Sequence, residues 1–99
     1  MSMDKMMREE ARLIILRTLA NQVDGRFNSE LVRRTLETFG ITRTRAWVHD
    51  EFRYLADMGA VEVSDAGSVQ VASLTGKGRD HVERRLIIEG VKRPSPGEG

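Results

Sequence analysis

The sequence predicts a mainly α winged helix-turn-helix domain, whose elements run helix, helix, helix, β-hairpin, helix. Three observations predict this fold. Apolar residues recur with the 3.6-residue period of helices up to Gly59, and beyond it the period changes to two, as in strands. A short connection containing Gly40 joins the second helix to the third, at helix-turn-helix spacing. We expect residues 1–90 to form the domain and residues 91–99, rich in Pro and Gly, to form a flexible C-terminal tail.

The first predicted helix runs from Asp4 to about Gln22, a stretch of good helix formers without Gly or Pro. Its middle, RLIILRTLA, is apolar on more than one side. A helix that is apolar around most of its circumference is usually buried around most of it. In so small a chain this pattern predicts that a second subunit covers part of the helix, giving a homodimer. The candidate interface residues are Ile15, Leu16, Leu19 and Trp47.

The second and third helices form the predicted helix-turn-helix. Asn28 is a fitting N-cap for the second helix and Gly40 a natural stop. About four residues, FGIT, lead to the third helix, which we expect Thr42 to cap and Gly59 to end. Its core-facing stripe consists of Thr44, Val48, Phe52 and Leu55.

The predicted hairpin pairs residues 60–64 with residues 69–73, both of which alternate between apolar and polar side chains. The intervening Asp-Ala-Gly-Ser sequence has the composition of a turn. We expect Thr75 to open a last helix that runs to about Ile88 and is stopped by Gly90.

The third helix carries the candidate DNA-binding residues. Arg45, His49 and Arg53 recur at i, i+4 and i+8 on a face beside the core stripe. Arginine suits this place because its guanidinium fork bonds guanine O6 and N7 or clamps a phosphate. Further candidates lie at the N-terminal end of this helix and just after the hairpin. The full predicted set is Thr42, Arg43, Arg45, His49, Arg53, Lys77 and Arg79.

Other interpretations compete with DNA binding. The arginines also fit an ordinary solvated helix face, because Asp50, Glu51 and Asp57 lie close to them in sequence. The hairpin tip contains Asp65 and neither Lys nor Arg, which disfavours phosphate contact by the wing. A second stripe, holding Trp47 and Tyr54, has three interpretations: an extension of the core beneath the first or last helix, a dimer contact, or stacking on bases.

Composition excludes several classes of function. The chain has no Cys and only two His, so we expect neither disulfides nor a metal site, and no motif indicates an enzyme or a cofactor. Its net charge of +1 does not indicate a polycation. No apolar run approaches the roughly 20 residues needed to span a bilayer, and the charged N-terminus is unlike a signal peptide. We therefore expect a cytoplasmic protein without membrane partners.

Several stretches resemble a family of small proteins from Mu-like transposable phages and prophages. They are LIILRTLA, the segment from FNSELVRRTLETFG through RTRAWVHDEFRYLADMGAVEV, VASLTGKGRDHVERR and the ending GVKRPSPG. The resemblance implies a phage-encoded, winged-helix-like and DNA-associated protein inside the bacterial host cell. It brings no catalytic residues. Gene regulation, assistance to DNA packaging and binding to another phage protein all stay open; in the last case the scaffold would serve as a protein-interaction adaptor that does not bind DNA.

Overall fold

The computed structural model describes residues 2–96. It contains the predicted order of helices and hairpin, with one additional strand. The elements are α1 (Met3–Ala20), β1 (Arg26–Asn28), α2 (Ser29–Thr38), α3 (Arg45–Asp57), β2 (Val61–Ala66), β3 (Val69–Leu74) and α4 (Gly76–Val82).

The hairpin belongs to a three-stranded antiparallel sheet in the order β1-β3-β2. Ala72 of β3 lies between Phe27 of β1 and Val63 of β2. Strand β1 has only three residues, too few for an alternating pattern to be recognised. It forms by pairing with β3, far along the chain, which is why local sequence does not reveal it.

The connection between α2 and α3 is longer than predicted. Thr44, and not Thr42, caps α3: its side-chain oxygen accepts a hydrogen bond from the Trp47 backbone N–H at 3.1 Å. The prediction for Thr42 is wrong because the chain must first place Ile41, which is buried in the core. The two residues between Ile41 and the cap, Thr42 and Arg43, are exposed and form an irregular segment before the helix begins.

Helix α1 lies at the centre of the domain, in contact with α2, α3, α4 and the sheet. Ile15, Leu16 and Leu19 are each 0% exposed within the single chain. The prediction that these three residues form a dimer interface is therefore wrong, because the chain's own elements already cover them. The apolar circumference of α1 reflects a central position, and not a second subunit. For Trp47, which is half-buried, participation in a dimer interface stays a prediction.

Helix α4 ends at Val82, well before the predicted Ile88. The chain then turns back and packs on α1: Val91 is 6% exposed, and the Lys92 backbone N–H donates to the Glu9 carbonyl at 3.1 Å. The first residues of the expected tail are therefore part of the packed domain, because Val91 supplies an apolar side chain to the core. Residues 97–99 of that tail lie outside the described residues.

A buried histidine holds this returning segment. His81 Nδ1 accepts a hydrogen bond from the Ile88 backbone N–H at 3.0 Å, and Nε2 lies 2.9 Å from the Lys92 carbonyl oxygen. Because Nδ1 accepts, the ring proton resides on Nε2 and is donated to that carbonyl. One imidazole thus satisfies two backbone groups of the segment that follows α4.

Candidate nucleic-acid interface

The N-terminal end of α3 presents polar and cationic groups to solvent. Thr42, Arg43 and Thr44 are all exposed, and Arg45, the first residue of the helix, is partly exposed. In helix-turn-helix proteins the N-terminal residues of the recognition helix are the ones that contact base edges. This end of α3 is therefore the part of the domain best placed to contact a nucleic acid.

Arg43 folds back onto its own domain. Its Nη1 donates to the Thr42 carbonyl at 2.8 Å, and its Nη2 lies 3.0 Å from the Met7 sulfur. The guanidinium carbon is 5.8 Å from the centroid of the Trp47 ring, within cation–π range. These contacts are weak and exposed, so a competing phosphate or base edge can displace them.

Arginines of α2 and α3 converge on one carboxylate. Glu30 accepts hydrogen bonds from Arg33 at 2.7 Å and from Arg34 at 3.1 Å, and Arg45 Nη1 lies 3.8 Å from it. The hydrogen bond from Arg33 is the largest cause that lowers the pKa of Glu30 to about 2. Glu37 also pairs with Arg33, at 3.0 Å. Even so, the arginines outnumber the carboxylates, which leaves this surface positive. The sequence analysis did not predict that Arg33 and Arg34 lie beside Arg45.

The outer face of α3 beyond its first turn is mixed in charge. The exposed side chains there are Asp50, Arg53 and Asp57. Arg53 forms no ion pair with any residue between Ser2 and Pro96. The two aspartates lie in the middle and at the end of the helix, so repulsion of phosphate is weakest at its N-terminal end.

His49 connects three elements and is only half-exposed. Its Nε2 lies 2.7 Å from the Ser29 hydroxyl oxygen, which also accepts a hydrogen bond from the Gln70 backbone N–H at 2.9 Å. Because Ser29 is fully buried, this serine–histidine pair cannot present a nucleophile to a substrate. The contact ties α3 to the start of α2 and to β3, which sets the position of the hairpin beside α3.

Lys77 lies at the other end of α3, and Arg79 lies near the C-terminal end of α1, where it lines a groove with Ala20 and Asn21. The Lys77 side chain passes over Gly59: a β-carbon on that glycine would lie 3.5 Å from Lys77 Cδ. Helix α3 has 13 residues, a length of about 20 Å at 1.5 Å per residue. Arg79 faces Glu83 at 4.0 Å within α4. The structure therefore does not bring these two predicted residues together with Arg43 and Arg45.

The hairpin offers no cation to a phosphate backbone. The tip residues 65–68 are all exposed and include Asp65, whose carboxylate accepts a hydrogen bond from Gln70. From Arg45 to Leu74, across α3 and the hairpin, two arginines face five acidic residues. One of those five, Glu51, is buried. From α2 through the hairpin, arginines therefore outnumber carboxylates only in the part that ends at the start of α3.

The second stripe of α3 packs against α1, as the first interpretation of its aromatics predicted. Trp47 lies against the core, with the Arg8 guanidinium 5.2 Å from its ring centroid. Sequence reasoning missed Glu51, which is 1% exposed and binds Arg8 and Arg12. The sequence feature that could have indicated this ion pair is the i, i+4 spacing of the two arginines on α1. That spacing places both on one face of the helix, where they can bind the same carboxylate.

Within residues 2–96 no helix is long and apolar enough to cross a membrane. The same range contains no cluster of three or more His, Cys, Asp or Glu side chains that could hold a metal ion.

One curated relative spans nearly the whole chain. The uncharacterised protein gp26 of Escherichia phage Mu is 33% identical over 88 residues, which cover 89% of this chain and 91% of gp26. The chain belongs to the phage Mu gp26 family. The resemblance to proteins of Mu-like phages is thereby confirmed. No protein-family model matches the chain.

Two solved structures share the fold of this gp26-family protein. RosR of H. salinarum, from a structure described as a complex, superposes with a TM-score of 0.63 at 22% identity. The match covers 75% of this chain and 64% of RosR. The chain therefore spans less than two thirds of the RosR chain. F93 from STIV, a winged-helix DNA-binding protein, superposes with a TM-score of 0.59 at 24% identity, and the match covers 74% of this chain and 79% of F93. The predicted winged-helix fold is confirmed.

Proposed function

We propose that this gp26-family protein binds double-stranded DNA through the N-terminal end of α3 and the adjacent arginines of α2. One observation carries the proposal: four arginines face only two carboxylates on the helix-turn-helix surface. The arginines are Arg33, Arg34, Arg43 and Arg45, and the carboxylates are Glu30 and Glu37. The shared fold with F93, described as DNA-binding, supports it.

The contacts follow from the positions of these groups. Arg43 and Arg45 flank the start of α3 and reach base edges in the major groove, while Arg34 on α2 contacts the phosphate backbone. The Thr42 hydroxyl donates to a neighbouring phosphate. Arg53, eight residues after Arg45 and about 12 Å along the helix, contacts a phosphate further along the groove. His49 holds α3 in place through Ser29 and does not read a base.

The experiment is a fluorescence anisotropy titration of a labelled mixed-sequence duplex. We expect Arg43→Ala combined with Arg45→Ala to weaken binding at least about tenfold, since each lost contact is worth roughly 1 kcal/mol or more. The matched control is Arg93→Ala, which removes an exposed arginine outside the helix-turn-helix surface. Equal affinity for the wild type and the double variant would contradict the proposal. A similar loss in the control would show that binding depends only on total charge.

DNA binding of this kind serves one of two functions: regulation of phage transcription or assistance to DNA packaging. Regulation requires preference for one sequence over competing duplexes, whereas packaging tolerates nonspecific binding through phosphate contacts. Titration with random competitor DNA therefore distinguishes them.

A second candidate is a protein-interaction adaptor that keeps the winged-helix scaffold without binding DNA. It is favoured by the excess of acidic residues across α3 and the hairpin. This candidate predicts no anisotropy change with the duplex even at about 50 mM salt, where electrostatic binding is strong. It also predicts stable association with a purified phage packaging protein in size-exclusion chromatography.

A further inference from the structure

A groove lies where the chain turns back after α4. It has a volume of about 490 Å³ and runs between residues 84–87 and residues 93–96. Its apolar lining comes from Leu86, Ile87, Pro94 and Pro96, and Ile87 is 61% exposed. Arg84 and Arg93 supply the charged lining. A mainly apolar cleft with a few charged groups is the usual form of a binding site.

Arg84 occupies a backbone position suited to glycine. Its φ is 65°, and within residues 2–96 no other residue except glycine has a positive φ. Its N–H donates to the His81 carbonyl, and the next N–H, of Arg85, donates to the Asp80 carbonyl. This pattern is the Schellman motif that ends many helices, in which the left-handed residue is usually Gly. Arginine is therefore less favourable for the fold here than glycine, which points to a role for its side chain.

The two arginines of the groove have no acidic partner. Neither Arg84 nor Arg93 forms an ion pair with any residue from Ser2 to Pro96. Arg85, by contrast, pairs with Asp80 and Glu83. The groove thus combines two uncompensated guanidinium groups with an exposed isoleucine. Its positive charge is complementary to carboxylates, and its isoleucine is complementary to aliphatic side chains that lie beside those carboxylates.

We propose that this groove binds an acidic, aliphatic peptide segment of a partner protein. Carboxylates of the segment pair with Arg84 and Arg93, and an aliphatic side chain between them covers Ile87. Duplex DNA fits less well, because surfaces that contact DNA are polar and strongly basic, whereas four of the seven residues that line this groove are apolar. The groove does not include the arginines of α2 and α3, so this interaction is separate from the proposed DNA contact.

The test uses a fluorescein-labelled peptide in which Asp and Leu alternate, with a matched peptide carrying Lys in place of Asp. We expect the acidic peptide to bind the full chain and the basic peptide not to bind. Arg84→Gly is the decisive variant: it should weaken peptide binding at least about fivefold, as loss of a charge-assisted contact does. The melting temperature should stay equal or rise, because Gly suits the backbone better. Arg45→Ala should leave peptide binding unchanged.

Four results of the binding measurements would overturn the proposal. They are absence of binding by the acidic peptide, equal binding of the two peptides, unchanged affinity in Arg84→Gly, and release of the peptide by duplex DNA together with weaker DNA binding by Arg84→Gly. The last result would assign the groove to nucleic acid. Sedimentation of Arg84→Gly and Ile87→Ser is a further check, since conversion of a dimer to a monomer would assign the groove to a second copy and also overturn the proposal.

Discussion

Glu51 of α3 lies buried against Arg12 of α1, with 2.6 Å between Glu51 Oε1 and Arg12 Nε. The other carboxylate oxygen binds Arg8 at 2.6 Å. Arg12 also donates to the Gly90 carbonyl at 2.8 Å and stacks on Tyr54, 3.7 Å from its ring centroid. Tyr54 in turn donates to the Glu89 carbonyl at 2.7 Å. One buried carboxylate therefore links α1, α3 and the segment that follows α4.

Replacing Glu51 with Ala should lower the free energy of unfolding by about 3 kcal/mol, because Arg12 then stays mostly buried without its partner. Urea denaturation followed by circular dichroism measures this change. Glu62→Ala, at an exposed position on β2, is the control and should change stability by less than about 0.5 kcal/mol. A loss below about 1 kcal/mol for Glu51→Ala would show that the ion pair is not important for stability.

His81→Ala should cost about 2–4 kcal/mol, since it leaves the Ile88 N–H and the Lys92 carbonyl without partners and opens a cavity. Hydrogen exchange gives a local readout: the amides of Ile88 and Val91 should lose protection more than those of α1. If all amides lose protection equally, His81 contributes to global stability without specifically holding the segment after α4.

Gly90→Ala tests the close packing of this segment. Gly90 has a φ of +82°, and an added β-carbon would collide with the Tyr54 hydroxyl. Gly40 has the same φ of +82°, yet nothing lies within 4 Å of a β-carbon there. Gly40→Ala should therefore cost about 1 kcal/mol from backbone strain alone, and Gly90→Ala about 1–3 kcal/mol more. Equal melting temperatures for the two variants would contradict the predicted collision.

The ion pairs of Glu30 predict a dependence of stability on pH. Arg33 lowers the pKa of Glu30 from 4.5 to about 2 in the folded chain. The stabilisation from this group is therefore fully present above the unfolded pKa and is lost as the pH falls through the folded pKa. Carbon-detected NMR titration should place the Glu30 midpoint well below 4.5. A midpoint near 4.5 would mean that Arg33 does not hold the carboxylate.

Glu30→Gln should strengthen DNA binding severalfold at neutral pH, because removing the carboxylate releases Arg34 and Arg45 toward phosphates. Anisotropy titration at constant salt measures this gain. Glu89→Gln, which also removes one negative charge but lies at an exposed position after α4, is the control for net charge. An equal gain in both variants would show that only total charge matters.

Much of the fold follows from local patterns in the sequence. The caps at Asn28 and Thr75 are confirmed, as is the hairpin between β2 and β3. These features depend on neighbouring residues, so a linear sequence contains them. Strand β1 and the return of Val91 to α1 depend on contacts between distant segments. For that reason the sequence predicted neither.

The site was predicted less completely, for a related reason. Whether an arginine is free depends on which carboxylates the fold brings beside it. Glu30 lies 3.8 Å from Arg45, and Glu51 is buried between Arg8 and Arg12, although the sequence showed Glu51 only as an acidic residue close to the arginines of α3. Likewise, Ile15 is apolar whether a second subunit or the chain's own elements cover it. Only the packed structure distinguishes the two.

The salt dependence of DNA affinity tests the central claim most directly. Each phosphate contact contributes about 0.9 to the slope of log K against log salt concentration. The two proposed phosphate contacts of arginines, from Arg34 and Arg53, therefore predict a slope of about −2 between roughly 50 and 200 mM salt. Arg34→Ala combined with Arg53→Ala should make that slope shallower by about 2, because each variant removes one phosphate contact. A wild-type slope near zero, or one that the double variant leaves unchanged, would contradict DNA binding by this surface.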